Sequence, residues 1–447
     1  MDYRELMQDL LKDAGKRGAS AAEVLVVEDD SFSVRVRMRS VDTLQSAREK
    51  RLGLRLCFGQ RSATTATSDL SRESLQRLLE DTAAMAQATA EDPFSGLPEP
   101  EAFAPSAPDL GLWDPEPANL PIPERIGLAE SAEAAALDSD PRIANSEGAD
   151  YGHGDGRILF ANSHGFTAEY RSSSVSLSVS PVARDNGGMQ RDGWYSVARL
   201  LKRLESPEAI GRTAARRTLR RLGARKVVTQ QVPVVFDPDM AASLLRNLCS
   251  AVTGSAIYRG ASFLVGRLGQ RVAVPDLSVV DDGRLEGGLG SKPFDGEGLP
   301  TRRTVVIQDG VLASYLLDTY SARKLGLHST GNASRSLGQR PTAGPTNFFI
   351  PPGTHTPETI IRSVEQGLYV TELIGFGVNL VTGDYSRGAA GLWIERGELA
   401  YPVEEITIAG NLKEMLLGIE MIGSDLEWRG SIAAPTLKIA RMTVAGD

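Results

Sequence analysis

The sequence predicts an α+β protein of two domains, an N-terminal unit mixing helices with a sheet and a C-terminal unit that is β-dominated and barrel-like. Three observations predict it. Glycine supplies 45 of 447 residues, above the ordinary share of about 7%, which favours turns and close backbone approaches over long helical bundles. Apolar and polar residues alternate in Phe32, Val34, Val36, Met38 and again in Val175, Leu177, Val179, the period of a strand with one wet face. Helix starts marked by a capping side chain stand between such runs at Ser71, Ser206 and Asp237, so helices and strands share each half.

The elements follow in order. Leu6, Leu10, Leu11 and Ala14 fall at helical spacing, and Gly15 and Gly18 offer the left-handed stop that ends a helix. Strands are expected at Ala22 to Val27, at Phe32 to Met38, at Leu52 to Phe58 and after Gln60. A helix capped by Ser71 then carries Leu75, Leu78, Leu79 and Met85. Residues 93–123 hold nine of the 24 prolines; missing donors and fixed φ oppose helix and sheet alike, so this is an extended connection. Leu110, Leu112 and Trp113 within it predict that it lies against a surface.

A helix from Pro123 to Leu137 and strands from Ile143 to Val182 resume the pattern. Ser206-Pro207-Glu208 opens the next helix and Gly223 closes it. Its arginines, Arg212, Arg216, Arg217, Arg220 and Arg221, are expected on a solvated face. The domain boundary is placed after Ala224, giving units of 1–224 and 225–447. Beyond it come a strand at Val227 to Phe236, a helix from Asp237-Pro238 through Val252, and mainly strands. Asp309-Gly310 and Arg396-Gly397 have the chemistry of tight hairpins.

Composition excludes several classes. With 49 Lys+Arg against 57 Asp+Glu the net charge is −8, and no basic run offers the phosphate-neutralising surface that nucleic acid requires. No apolar segment approaches the ~20 residues of a membrane span, and the acidic, amphipathic N-terminus is unlike a signal peptide. A cytoplasmic location is expected. Two distant cysteines, Cys57 and Cys249, exclude a disulfide framework and a CxxC site; both are expected to be buried apolar groups.

Catalytic motifs are scarce. None of the four histidines, His153, His164, His328 and His355, stands one helical turn from another, as a zinc-binding helix would need. His153 with Asp155 could form a base, although a histidine in a turn is the plainer reading. Ser321 and Lys324 match the SxxK form in which lysine activates serine, without the companion motifs. Gly287 to Lys292 lacks phosphate-loop spacing and reads as a flexible glycine loop.

The run Gly375-Phe376-Gly377-Val378-Asn379, continuing through Val381-Thr382-Gly383-Asp384-Tyr385-Ser386-Arg387-Gly388-Ala389 to Trp393-Ile394-Glu395, resembles the signature of the TldD/PmbA family. Thr304 to Tyr315, Thr330 to Ala333, Pro345 to Asn347, Gly410 to Asp425 and Pro435 to Lys438 agree with it in order. The resemblance implies a cytoplasmic peptidase in which a zinc-bearing TldD-type subunit pairs with a PmbA (TldE)-type subunit. The TldD type carries HExxxH on a helix early in the C-terminal domain and a later cysteine. Here the corresponding positions are Leu245, Arg246 and Ser250, and the tail reads Gly430-Ser431-Ile432-Ala433-Ala434-Pro435. A fixed guanidinium opposes a cation.

The resemblance therefore implies a non-catalytic PmbA-type subunit with no catalytic or metal-binding residues and no cofactor of its own, zinc belonging to the partner. Its expected partners are a TldD-type chain and a peptide, and left unpaired it could form a homodimer. Gly375 and Gly377 would admit a neighbouring backbone, while Asn379, Thr382, Asp384 and Ser386 supply polar contacts; alternatively Gly383-Asp384 is a turn that these neighbours satisfy. Two other readings stand beside this one: a metal-independent hydrolase using Ser321 and Lys324 or His153 and Asp155, and a regulator of another protein such as DNA gyrase.

Overall fold

The computed structural model describes residues 2–186 and 188–446. Helix α1 (Tyr3–Lys16) is capped by the Asp2 carboxylate, which accepts the Arg4 N–H at 2.9 Å. The chain leaves it through Gly18 at φ +87°. Strands β1 (Ala21–Arg37), β2 (Ser40–Phe58) and β3 (Arg61–Thr67) form an antiparallel meander.

The two runs expected as separate strands, Ala22 to Val27 and Phe32 to Met38, are one strand of 17 residues ending at Arg37. The polar stretch between them stays in the sheet because opposite charges face each other across it. Lys50 pairs with Glu28 at 3.3 Å, Arg51 with Asp29 at 2.9 Å and Arg48 with Asp30 at 2.7 Å.

Helix α2 (Arg72–Ala88) starts where Ser71 Oγ accepts the Ser74 N–H. The proline-rich connection runs over the surface with Leu110 and Leu112 buried, and includes the short α3 (Glu116–Asn119) before α4 (Ile122–Leu137). Strands β4 (Ile143–Asn162), β5 (Thr167–Asp185), β6 (Gly188–Arg191) and β7 (Trp194–Ala198) and helix α5 (Pro207–Leu219) complete the first half. The sheet order is β3-β2-β1-β4-β5-β6, with β7 also on β5.

Because side chains alternate, Val24, Val26, Phe32, Val34 and Val36 share one face of β1. Helices α1 and α2 cover one end of that face and α4 and α5 the other. On the opposite face, Leu25, Phe160 and Phe166 meet Phe294 of the second half.

His153 lies in the middle of β4, opposite Phe32 and Val175, and not in the expected turn. The alternation of Tyr151, His153 and Asp155 with glycine is a strand pattern whose small members mimic turn chemistry. Helix α5 also differs from expectation. Arg212 and Arg216 are exposed, but Arg217 pairs with Asp192 at 3.3 Å and Arg221 with Glu372 at 2.6 Å, each at least 85% covered. The face is solvated on one side only, because the second half packs on the other.

That half opens with β8 (Gln230–Phe236), α6 (Pro238–Ala251) and α7 (Gly254–Tyr258). A five-stranded sheet runs β11 (Val311–Leu312), β10 (Arg303–Gln308), β9 (Val279–Asp282), β14 (Phe348–Phe349), β19 (Ile432–Ala433). Helix α8 (Thr319–Leu325), the small pair β12 (Ala333–Ser334) and β13 (Thr342–Ala343), and α9 (Pro357–Arg362) lie between its strands in sequence.

The last sheet joins β17 (Glu398–Asn411), β16 (Asp384–Glu395), β15 (Gln366–Ile374), β8, β20 (Leu437–Ala445) and β18 (Ile419–Ile422) in that order. Strand β17 also pairs with β20, so five strands close into a barrel, which removes their open edges. Helix α10 (Leu412–Leu417) follows β17. Trp393, Phe236 and Ile439 fill the core. Both hairpins form as read: Asp309 and Gly310 have φ +50° and +79°, and Arg396 and Gly397 +52° and +79°, the left-handed pair of a type I′ turn.

Gly287 to Lys292 is a packed segment and not a loose loop. Asn347 Oδ1 accepts the Gly290 N–H at 2.8 Å, and a Cβ on Gly290 would lie 2.2 Å from Thr346 O. Its glycines serve close packing. Both cysteines are buried and free, and among the described residues no helix is long and apolar enough to cross a membrane.

Candidate functional site

Helix α6 is built by local rules. Asp237 Oδ1 accepts the Met240 N–H at 2.9 Å, and Pro238 takes the first helical position, where no donor is needed. Leu244, Leu245 and Leu248 face the core against the barrel and the five-stranded sheet. Asp239, Ser243, Arg246 and Ser250, spaced four, three and four apart, form the outward stripe.

The three positions matching the metal motif divide between these faces. Leu245 is in the core, while Arg246 and Ser250 are exposed. Ser250 Oγ donates back to Arg246 O at 3.1 Å. Further guanidinium groups attend the outward stripe: Arg387 Nη1 donates to Ser243 Oγ at 2.9 Å, and Arg429 Nη1 lies 3.7 Å from Asp239 and over the Trp194 ring at 3.8 Å.

Zinc takes deprotonated N, S or O donors converging on one point. These residues do not fit it. The stripe offers one carboxylate, two hydroxyls and arginines, and among the described residues no three His, Cys, Asp or Glu side chains group so as to hold a metal. Cys249, one residue from Ser250, is buried and its thiol is pushed up to about 12 by desolvation, far from a thiolate ligand.

The glycine-rich signature forms the end of the β15–β16 hairpin. Gly375 turns the chain at φ +80°. The Ser386 N–H donates to Gly377 O at 2.7 Å, and a Cβ on Gly377 would sit 2.0 Å from Ser386 O. The close approach that Gly377 permits is thus made by its own hairpin.

Asn379 Oδ1 accepts the Val381 N–H at 2.9 Å, and Asp384 accepts the Thr382 hydroxyl at 2.6 Å and Asn411 Nδ2 at 3.0 Å. These bonds hold the Asp384 carboxyl below its ordinary range. Of the polar residues singled out from the sequence, Asn379, Thr382 and Asp384 are brought together and spend their side chains on the turn, while Ser386 joins it through its backbone N–H.

Beside these exposed polar groups the turn also presents large apolar side chains. Phe376 is 100% exposed, Ile374 58% and Val381 57%. Sequence reasoning passed over Phe376; its signal was a large aromatic between two glycines, unable to fold back over a neighbouring side chain. Ile374 also borders a groove of about 650 Å³ between the end of the N-terminal sheet and the barrel, with Arg37, Arg191, Glu147 and Glu404 on its rim. A second unclaimed surface is the first part of β2, residues 40–51, exposed on both faces; β3 pairs only from Leu52 onward.

The other candidates are kept apart. Ser321, buried in α8, donates its hydroxyl to the Asp318 carboxylate; that carboxylate accepts the Ser321 N–H at 3.1 Å and Ser321 Oγ accepts the Asp318 N–H at 3.2 Å, a capping box. Lys324 lies over the Phe94 ring at 4.2 Å. His153 stacks on Phe32 at 5.8 Å and burial lowers its pKa. Asp155 accepts from Trp113 Nε1 at 2.7 Å and pairs with Arg171 at 3.1 Å.

Three family profiles match the chain in succession: PmbA/TldA metallopeptidase domain 1 over residues 22–86, the central domain over 115–222 and the C-terminal domain over 229–446. The metalloprotease PmbA of Escherichia coli O157:H7 is 40% identical over 429 residues, 96% of this chain and 93% of its own. A crystal structure of a proposed modulator of DNA gyrase from Bacteroides thetaiotaomicron is 30% identical and superposes over the whole of both chains with a TM-score of 0.92. TldE from Thermococcus kodakarensis, 20% identical, shares the fold over 98% of this chain and 100% of its own, with a TM-score of 0.86.

Proposed function

This chain belongs to the PmbA/TldD metallopeptidase family, and from that premise we propose that it serves as a non-catalytic, TldE-type subunit that pairs with a zinc-bearing TldD-type chain to process unstructured peptides in the cytoplasm. The observation that carries the reading is helix α6. Its outward stripe has arginine and serine where a metal helix needs imidazole and carboxylate, and the third position, Leu245, is turned into the core. The cost of placing a dication beside fixed guanidinium groups is electrostatic.

The partner's contribution in this reading is the metal, which polarises the scissile carbonyl and lowers the pKa of a water. This chain supplies surfaces. The hairpin end at Ile374, Phe376 and Val381 offers desolvatable apolar area with polar groups already satisfied, the character of an interface core. The unpaired edge of β2 and the groove beside Ile374 offer backbone and mixed polar contacts suited to an extended chain.

The test is co-expression. The chain purified alone should hold no stoichiometric zinc and cleave no unstructured peptide, whereas the co-purified pair should hold zinc and cleave with chelator sensitivity. One tightly held ion per isolated chain, with chelator-sensitive cleavage, would overturn the reading. The modulator-of-gyrase description of the Bacteroides thetaiotaomicron structure supports a second reading, binding to a topoisomerase. Capture of that enzyme in the absence of any TldD-type chain would favour it.

A further inference from the structure

Lys292 ends the packed glycine segment and reaches the junction of the two halves. Its Nζ donates to Ala333 O at 2.9 Å. Among the described residues no carboxylate lies within 4.0 Å of it, and burial lowers its pKa. The carboxylates that act on it from further off, Asp295 and Asp281, are committed elsewhere. Asp295 accepts the N–H groups of Glu297, Leu299 and Ala333 at 2.8, 3.0 and 3.0 Å. Asp281 accepts from Thr346 twice at 2.7 Å and from Asn332 at 2.6 Å. An ammonium with three donors and one bond made is costly to bury without an anion.

Lys292 lines a cavity of about 230 Å³ together with Arg335, Asp295, Phe160, Tyr170, Phe294 and Leu337. The Arg335 side chain is 6% exposed; its Nη2 pairs with Glu23 at 2.7 Å, and its buried Nε has no acceptor. The rest of the wall is mainly aromatic and aliphatic; its other polar side chains are Ser334 and the Asp295 carboxyl, whose two oxygens are taken by backbone N–H groups. Such a cavity is suited to a ligand with an apolar body and an anionic head.

We propose that this cavity is a binding site for a small hydrophobic carboxylate, its carboxylate on Lys292 Nζ and Arg335 Nε and its aryl or branched alkyl body against Phe160, Tyr170 and Phe294. The same chemistry is carried by a free aryl-alkyl acid and by the carboxyl terminus of a peptide ending in an apolar residue. The inference stands whether or not the chain pairs with a TldD-type subunit.

The experiment is calorimetric titration of the full chain with 3-phenylpropionate, N-acetylphenylalanine and, as the uncharged control, N-acetylphenylalaninamide. One equivalent of an acid should bind and the amide should not. Tighter binding of 3-phenylpropionate points to a free acid, and tighter binding of N-acetylphenylalanine to a peptide terminus. Lys292→Gln should weaken binding at least about tenfold, the range of one charged hydrogen bond. Leu337→Trp, which fills the cavity and leaves both cations in place, should abolish it and decides the matter if the lysine variant fails to fold. The proposal is overturned if neither acid binds, if the amide binds as well as the acids, or if both variants bind like the parent chain.

Discussion

Arg217 near the end of α5 and Asp237 at the cap of α6 lie 3.7 Å apart, a guanidinium from the N-terminal half supporting the residue that starts the central helix of the other. Arg217 also pairs with Asp192 and lies 5.2 Å from the Trp194 ring centroid. Desolvation nevertheless outweighs the attraction and pushes the Asp237 carboxyl up to about 6.

An acid whose folded-state value exceeds its unfolded value near 3.8 stabilises the fold fully below that lower value, and the contribution is lost as pH rises through about 6. The shift corresponds to something on the order of 3 kcal/mol. Asp237→Asn keeps an oxygen for the Met240 N–H and removes the titration. Urea denaturation across this window should show a falling stability in the parent chain and a flatter profile in the variant, which should be the more stable at neutral pH. Identical slopes would count against the assignment.

Gly211 sets how closely α4 and α5 approach. A Cβ there would lie 2.3 Å from Ala132 O and 2.7 Å from Ala135 Cβ. Gly211→Ala should force the helices apart and cost about 1–3 kcal/mol despite alanine's better helix propensity. A rise in melting temperature would show that the contact relaxes without cost.

Phe376 touches solvent on all sides. Phe376→Ser should leave the unfolding free energy of the isolated chain within about 0.5 kcal/mol of the parent, yet weaken association with a TldD-type subunit in sizing experiments. Unchanged co-elution at limiting concentration would remove this side chain from the interface.

Ser321 is a capping residue in its geometry. Ser321→Ala leaves the Asp318 N–H and carboxylate short of a buried partner and should cost about 1–3 kcal/mol. Peptide cleavage by the assembled pair should continue at the parent rate per folded complex. A loss of turnover with stability intact would revive the Ser321 and Lys324 hydrolase.

Much of this was legible in the amino-acid sequence. The caps at Ser71, Ser206 and Asp237, the Asp309-Gly310 and Arg396-Gly397 turns and the apolar stripes are short-range chemistry, decided within a few residues of chain. Length of strand was not legible at Glu28 to Ser31, because partners twenty residues away neutralise those charges. Arg217 and Arg221 read as solvated for a similar reason: nothing in a helix's own sequence tells which of its faces another domain will cover. His153 read as a turn residue because glycine on either side of it is ambiguous until a strand is known to run past.

The amino-acid order by itself determined which residues occupy the degenerate motif, Leu245, Arg246 and Ser250, and hence that imidazole and carboxylate donors are missing there; chemical identity does not depend on folding. Only the tertiary structure decided that Leu245 turns inward, that Asn379, Thr382 and Asp384 are spent on their own turn and on Asn411 of the neighbouring strand, and that Lys292 is left with a single acceptor. Each of these depends on which groups distant in the chain arrive within hydrogen-bonding reach, and that is settled by packing.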